Sequence, residues 1–163
     1  MRNAIAAAVF LATLATPLAA CNLDGARHRL DAARERMWVL DREGLFLFDL
    51  RKATKVAVAL PDWLRAPASQ AGLPALALGP KGEVVITSNV VPTLWRIEPD
   101  SLAVSVHRPA LDADTDRDIG FSRLVYSEPH RAFFAKSFHH GSLWRIDAGL
   151  QRAQKLPLSE APC

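Results

Sequence analysis

The densest chemistry in this chain of 163 residues is the run DADTDRD, which sets Asp112, Asp114, Asp116 and Asp118 at alternate positions. Alternating carboxylates in a loop can wrap a hard cation, because Ca2+ takes about six to eight oxygen ligands. The run departs from the EF-hand pattern. Arg117 stands in place of the sharp-turn glycine, and Arg123 in place of the bidentate glutamate. Two readings stay open: a calcium loop through Asp112, Asp114 and Asp116, or a solvated acidic connection. His139 and His140 are adjacent, and on extended backbone adjacent side chains point to opposite sides. The pair therefore needs a third ligand to chelate one metal, and reads either as exposed or as one residue lining a ligand site. Asp49, Glu98 and Asp147 each close an apolar run ahead of a turn, where a carboxylate accepts hydrogen bonds from turn amides. No Ser-His-Asp arrangement, phosphate-cradling loop or nucleophilic cysteine stands out, so no catalytic residue is assigned.

Those carboxylates belong to a repeat. SLWRIDAGL at Ser142–Leu150 has a near-twin in TLWRIEPDSL at Thr93–Leu102 and a looser relative in GLFLFDLRKA at Gly44–Ala53. Asp49, Glu98 and Asp147 are separated by 49 residues and again by 49. The same step aligns Phe46 with Trp95 and Trp144, and Leu45 with Leu94 and Leu143. Each unit reads as four short strands, with period-two alternation in KVAVAL (Lys55–Leu60) and LAVSV (Leu102–Val106). The expected strands are 28–31, 37–40, 45–48 and 55–60; then 75–78, 83–88, 93–97 and 102–107; then 122–127, 132–137, 142–146 and 151–156. Gly79-Pro80-Lys81-Gly82, Glu98-Pro99-Asp100-Ser101 and Ser127-Glu128-Pro129-His130 punctuate them as turns. Asp62–Ala66 could form one helical turn.

Four-stranded units of this length are the pattern of β-propeller blades. The fold class expected is all-β, with about three four-stranded antiparallel blades; a plain sandwich or barrel is the rival. The stretch GPKGEVVITSNVVPTLWRIEPDSLAV resembles blades of the NHL, YVTN and gluconolactonase-like propellers. Gluconolactonase-like enzymes hold a divalent ion through Glu, Asn and Asp side chains around the propeller axis, and that resemblance implies one counterpart here, Asn89. In such blades the strand 2–3 loops and the blade-to-blade connections share one face. Trp63, Asn89, His139, His140 and the acidic run are expected there as the ligand or partner face. Trp63 could anchor a partner or cap the gap between blades. Closed propellers have about four to eight blades, so three leave two flanking faces uncovered. A homodimer closing a six-bladed ring, an envelope protein partner and an open array are the three resolutions.

The front of the chain gives an address. Arg2 precedes an apolar run that Thr13, Thr16 and Pro17 interrupt, shorter than the roughly 20 apolar residues of a membrane span, as in a secretory signal. Leu18-Ala19-Ala20-Cys21 resembles the lipobox of bacterial lipoproteins, which implies acylation at Cys21 and a membrane anchor. Asn22 in place of aspartate implies, by the same resemblance, the outer membrane facing the periplasm. Ordinary cleavage before a free Cys21 is the alternative, and would allow a bridge to Cys163. The expected organisation is a signal over 1–20, a tether over 21–26, the blades over 27–158 and a tail over 159–163. Removing residues 1–20 takes one of the 20 basic residues and none of the 17 acidic ones, so the net charge becomes +2. There is no basic run for nucleic acid. The sequence points to an exported, lipid-anchored binding or assembly module of the bacterial cell envelope. A lactonase-type metal-dependent hydrolase formed by two chains and a truncated propeller relic are the alternatives.

Overall fold

Alternating apolar residues between short turns build the described residues as sheets, apart from one 3-10 turn at Ala32–Arg34. The computed structural model describes residues 26–66, 72–112 and 119–157. Blade 1 contains β1 (Arg27–Asp31), β2 (Arg36–Leu40), β3 (Leu45–Asp49) and β4 (Thr54–Val58). Blade 2 contains β5 (Leu76–Leu78), β6 (Val84–Thr87), β7 (Leu94–Ile97) and β8 (Val104–His107). A short β9 (Ala110–Leu111) precedes blade 3, which is β10 (Phe121–Ser127), β11 (Ala132–Ser137), β12 (Leu143–Asp147) and β13 (Arg152–Leu156). Within each blade, sequential strands pair antiparallel as an up-and-down meander. All twelve expected strands are present, with ends shifted by a residue or two. β9 was not expected; it runs parallel to β13 at the outer edge of blade 3. Asp62–Ala66 forms no helical turn.

Two cores hold the blades together. Trp38, Leu40, Leu45 and Leu47 of blade 1 pack against Leu76, Ile86, Trp95 and Ile97 of blade 2. Ala75, Ala77, Val85 and Leu94, on the opposite face of blade 2, pack against Phe121, Phe133, Trp144 and Ile146 of blade 3. The repeated aromatic position therefore has a direction. Trp95 faces the blade before it, and so does Trp144. The leucine one residue earlier faces the blade that follows.

This direction explains why Phe46 is only half-buried although it aligns with two buried tryptophans. It faces the position of a preceding blade, where the described chain supplies none. Cross-strand register puts Phe46 beside Val39, and Phe48 beside Met37, on that face. Leu30, 57% exposed, pairs with Met37 and extends the same row. The Lys55 ammonium lies 3.8 Å from the centre of the Phe46 ring and partly shields it. At the other end, Val125, Phe134, Leu143 and Leu156 form the matching outward face of blade 3, with Val125 58% exposed.

Candidate functional site

The strand 2–3 loops of the three blades do share one face, and the chain's own connection after blade 1 crosses it. Arg65 donates to the carbonyl of Arg42 in the first loop. Trp63 Nε1 donates to Thr87 O at 3.1 Å, and Ser88 Oγ donates to Leu64 O at 2.6 Å. Gly72 sits against the third loop: a Cβ there would lie 2.9 Å from Phe138 Cδ2.

Asn89 is the centre of this arrangement, fully buried. Its Oδ1 accepts from Ala66 N–H at 2.9 Å, while Nδ2 donates to Ala66 O at 2.9 Å and to Gly72 O at 2.6 Å. Both amide hydrogens and the oxygen are thereby engaged with backbone. The structure gives this side chain a different role from the one the gluconolactonase-like resemblance implies: it is buried and holds the connection after blade 1 through its backbone. Trp63 likewise packs against the core between blades 1 and 2, with the Arg65 guanidinium 5.3 Å from its ring. Two of the four residues expected on a ligand face thus hold the chain to itself. His139 and His140 remain exposed on that face, with His139 edge-on to Phe138 at 5.6 Å.

Thr87 and Ser88, unremarked in the sequence, complete a buried polar hub. Thr87 Oγ1 accepts from Ala75 N–H at 2.7 Å and donates to Phe121 O at 2.6 Å. Phe121 N–H donates to Ser88 O at 2.7 Å. One loop therefore fastens three segments, and its polar residues read as exposed only because their partners lie far away in sequence.

Of the acidic run, Asp112 is described. Its Oδ1 accepts from Lys155 N–H at 2.8 Å and its N–H donates to Ala153 O at 3.2 Å, so it extends the edge of β13. Asp114 and Asp116 lie outside the described residues, as do Cys21 and Cys163. Among the described residues no group of three or more His, Cys, Asp or Glu side chains is placed to hold a metal ion. Two of the three repeated strand-end carboxylates, Asp49 and Asp147, accept hydrogen bonds from turn amides. Asp49 accepts from the N–H groups of Arg51 and Lys52, both at 3.0 Å. Asp147 accepts from Gly149 at 3.0 Å and Gln151 at 2.9 Å, and also from Arg152. The Lys52 amide bond, ahead of the Arg51 amide and the Lys52 charge, holds the Asp49 carboxyl below its ordinary value.

The cations occupy a different place. Arg27 and Arg29 on β1, Arg123 on β10 and Lys136 on β11 line a cleft of about 450 Å³, where the first strands of the three blades converge. Burial, followed by the charges of Arg123 and Arg29, lowers the Arg27 pKa.

No family model matches the chain, and no curated protein matches its sequence. Solved structures match its fold. The extracellular domain of a one-component system from B. thetaiotaomicron superposes with a TM-score of 0.58 at 11% identity, over 80% of this chain and 16% of that one. Dihydro-heme d1 dehydrogenase NirN in complex with DHE gives 0.57 at 17% identity, over 82% of this chain and 28% of that one. Streptogramin B lyase gives 0.50 at 12% identity, over 83% of this chain and 52% of that one. The class is a β-propeller-like protein, and the chain spans about half or less of the length of these structures.

Proposed function

We propose that this protein is a lipid-anchored, propeller-like binding and assembly module of the bacterial cell envelope, and that its first partner is a second copy of itself. The observation that carries this reading is the directed blade interface. It is made twice inside the chain and left half-made at both ends. The apolar face of blade 1 built on Phe46, Phe48, Val39, Met37 and Leu30 corresponds to the face of blade 2 that packs on blade 1. The outward face of blade 3, with Val125, Phe134 and Leu143, corresponds to the face of blade 2 that packs on blade 3. Two copies related by a two-fold axis would bury both faces in a six-bladed ring.

A polar contact supports the same arrangement. The acceptors repeat although the donors do not: Arg36, on the second strand of blade 1, donates to Pro99 O of blade 2, and Arg96, on the third strand of blade 2, donates to Ala148 O of blade 3. Pro99 and Ala148 occupy the same place in successive turns, 49 residues apart. Arg145 is the repeat counterpart of Arg96, and Leu50 that of Pro99. A closed ring would let Arg145 reach the carbonyl of the partner's Leu50. Tethering rests on the lipobox at Cys21, with Asn22 favouring the outer membrane. Incorporation of labelled fatty acid, abolished by Cys21→Ser, tests the anchor. Sedimentation of Phe46→Glu and Arg145→Gln tests the assembly: both variants should shift to the single-chain mass, and unchanged association in both would remove the proposed interface.

A further inference from the structure

We propose that the strand 2–3 loop face lies on the bilayer that holds the anchor, with Leu64, Val90 and Phe138 inserted among the lipid headgroups. Such docking rests on the anchored reading, through acylation at Cys21. The point where the chain enters the fold sets the orientation. Arg27, the first residue of β1, pairs with Leu40, the last residue of β2 ahead of its strand 2–3 loop. The chain therefore arrives at the loop face. Residues 22–26 separate Cys21 from β1, and five residues reach at most about 18 Å. β1 also has five residues, so a tether of that length is used up in running down the blade to the opposite face. The outer strand β4 lies three strand spacings from β1, about 14 Å away, which leaves little reach for an edge-on approach. The loop face is the one this tether brings to a membrane. Two copies closed into a ring, with the two-fold along the ring axis, would carry both tethers on that same side.

The side chains exposed on this face fit the same orientation. Leu64, Val90 and Phe138 are all exposed, and all three attach to one loop. Ser88 Oγ donates to Leu64 O and accepts from Val90 N–H at 3.1 Å. Gly72, whose carbonyl accepts from Asn89 Nδ2, lies against the Phe138 ring. Ser88 and Asn89 are buried, so the three apolar side chains stand on a fixed base. Neither the two cores nor the proposed ring covers them, because a ring closes through the flanking faces of blades 1 and 3. A bilayer does, since apolar side chains on an anchored surface enter the boundary between headgroups and acyl chains. The described charges around them are mixed, Arg42 and Arg65 with Asp41 and Glu43, so apolar contact rather than lipid charge carries the docking.

The test uses the full chain, matured and extracted from membranes, then reconstituted into neutral phosphatidylcholine vesicles with or without brominated acyl chains. Bromine quenches nearby tryptophan. The probes are Phe138→Trp on the loop face and Leu50→Trp on the opposite turn face, at positions matched in exposure at 50% and 51%. Bromolipid should quench Phe138→Trp at least twofold more than the parent, and Leu50→Trp no more than the parent. Mass spectrometry of the same preparation reads acylation at Cys21 separately. An acylated chain in which the two probes behave alike, or in which Leu50→Trp is quenched more, would overturn the docking and leave the anchor standing. A chain without acyl groups would remove the anchor and the docking together.

Discussion

Asp49 shows how a single carboxylate can set the pH behaviour of a turn. Its folded pKa lies below the ordinary 3.8 because two amides and the Lys52 ammonium favour the charged form. The stability it adds is therefore complete above that ordinary value, and is lost as pH falls through the lower folded value. Asn at this position keeps an oxygen for the Arg51 and Lys52 amides but does not titrate. Urea midpoints measured from pH 6 to pH 3 should fall less steeply for Asp49→Asn than for the parent, and parallel curves would refute this account. The tryptophans give a second contrast. Trp95 Nε1 donates to Pro61 O at 2.7 Å, whereas the buried Trp38 Nε1 has no partner among the described residues. Both substitutions to Phe remove a similar apolar volume, but only Trp95→Phe breaks a hydrogen bond. Equilibrium unfolding should find Trp95→Phe the more destabilised by about 1 kcal/mol. At this scale the sequence was informative about Asp49, Asp147 and the tryptophans, since each does what its local context requires. It was silent about Arg27 and Arg123, which look like ordinary strand residues until the topology brings them to one cleft.

At the scale of elements, strands were legible and connections were not. The 49-residue step and the period-two runs depend on neighbours in sequence, so they survive translation into structure almost residue for residue. The loop Thr87–Asn89 depends on partners 12 to 34 residues away, and its Ser, Thr and Asn composition reads as solvent-facing when those partners are unseen. Of the two readings of Trp63, partner anchor or cap between blades, its packing on the core between blades 1 and 2 matches the second, and its connection ties down three loops. Gly120 marks how close this packing is: a Cβ there would fall 1.9 Å from the Asn89 carbonyl carbon. Neither side of that contact can yield, because both are backbone. Gly120→Ala should cost at least about 2 kcal/mol through overpacking, and Asn89→Ala about 1–3 kcal/mol through lost buried hydrogen bonds. Chemical denaturation of the two variants checks both figures, and an effect under about 0.5 kcal/mol in either would show that the hub is dispensable.

For the whole molecule, the same rule that buries Trp95 and Trp144 leaves Phe46 facing outward. A blade is a two-faced layer, and each face needs another blade or its equivalent. Among the described residues, the three blades cover four of their six faces with one another. The remaining pair carries Phe46, Phe48 and Leu30 at one end and Val125, Phe134 and Leu143 at the other. They are complementary in type, since one is the face that precedes and the other the face that follows. The 49-residue step lets three blades be counted in the sequence, but the direction of each face emerged only from the register of strands and the two cores. The most direct test is the absolute mass in solution of residues 22–163, by light scattering after gel filtration over a range of concentrations. The account predicts a particle of twice the chain mass that persists on dilution, and a well-folded single chain at every concentration would contradict it.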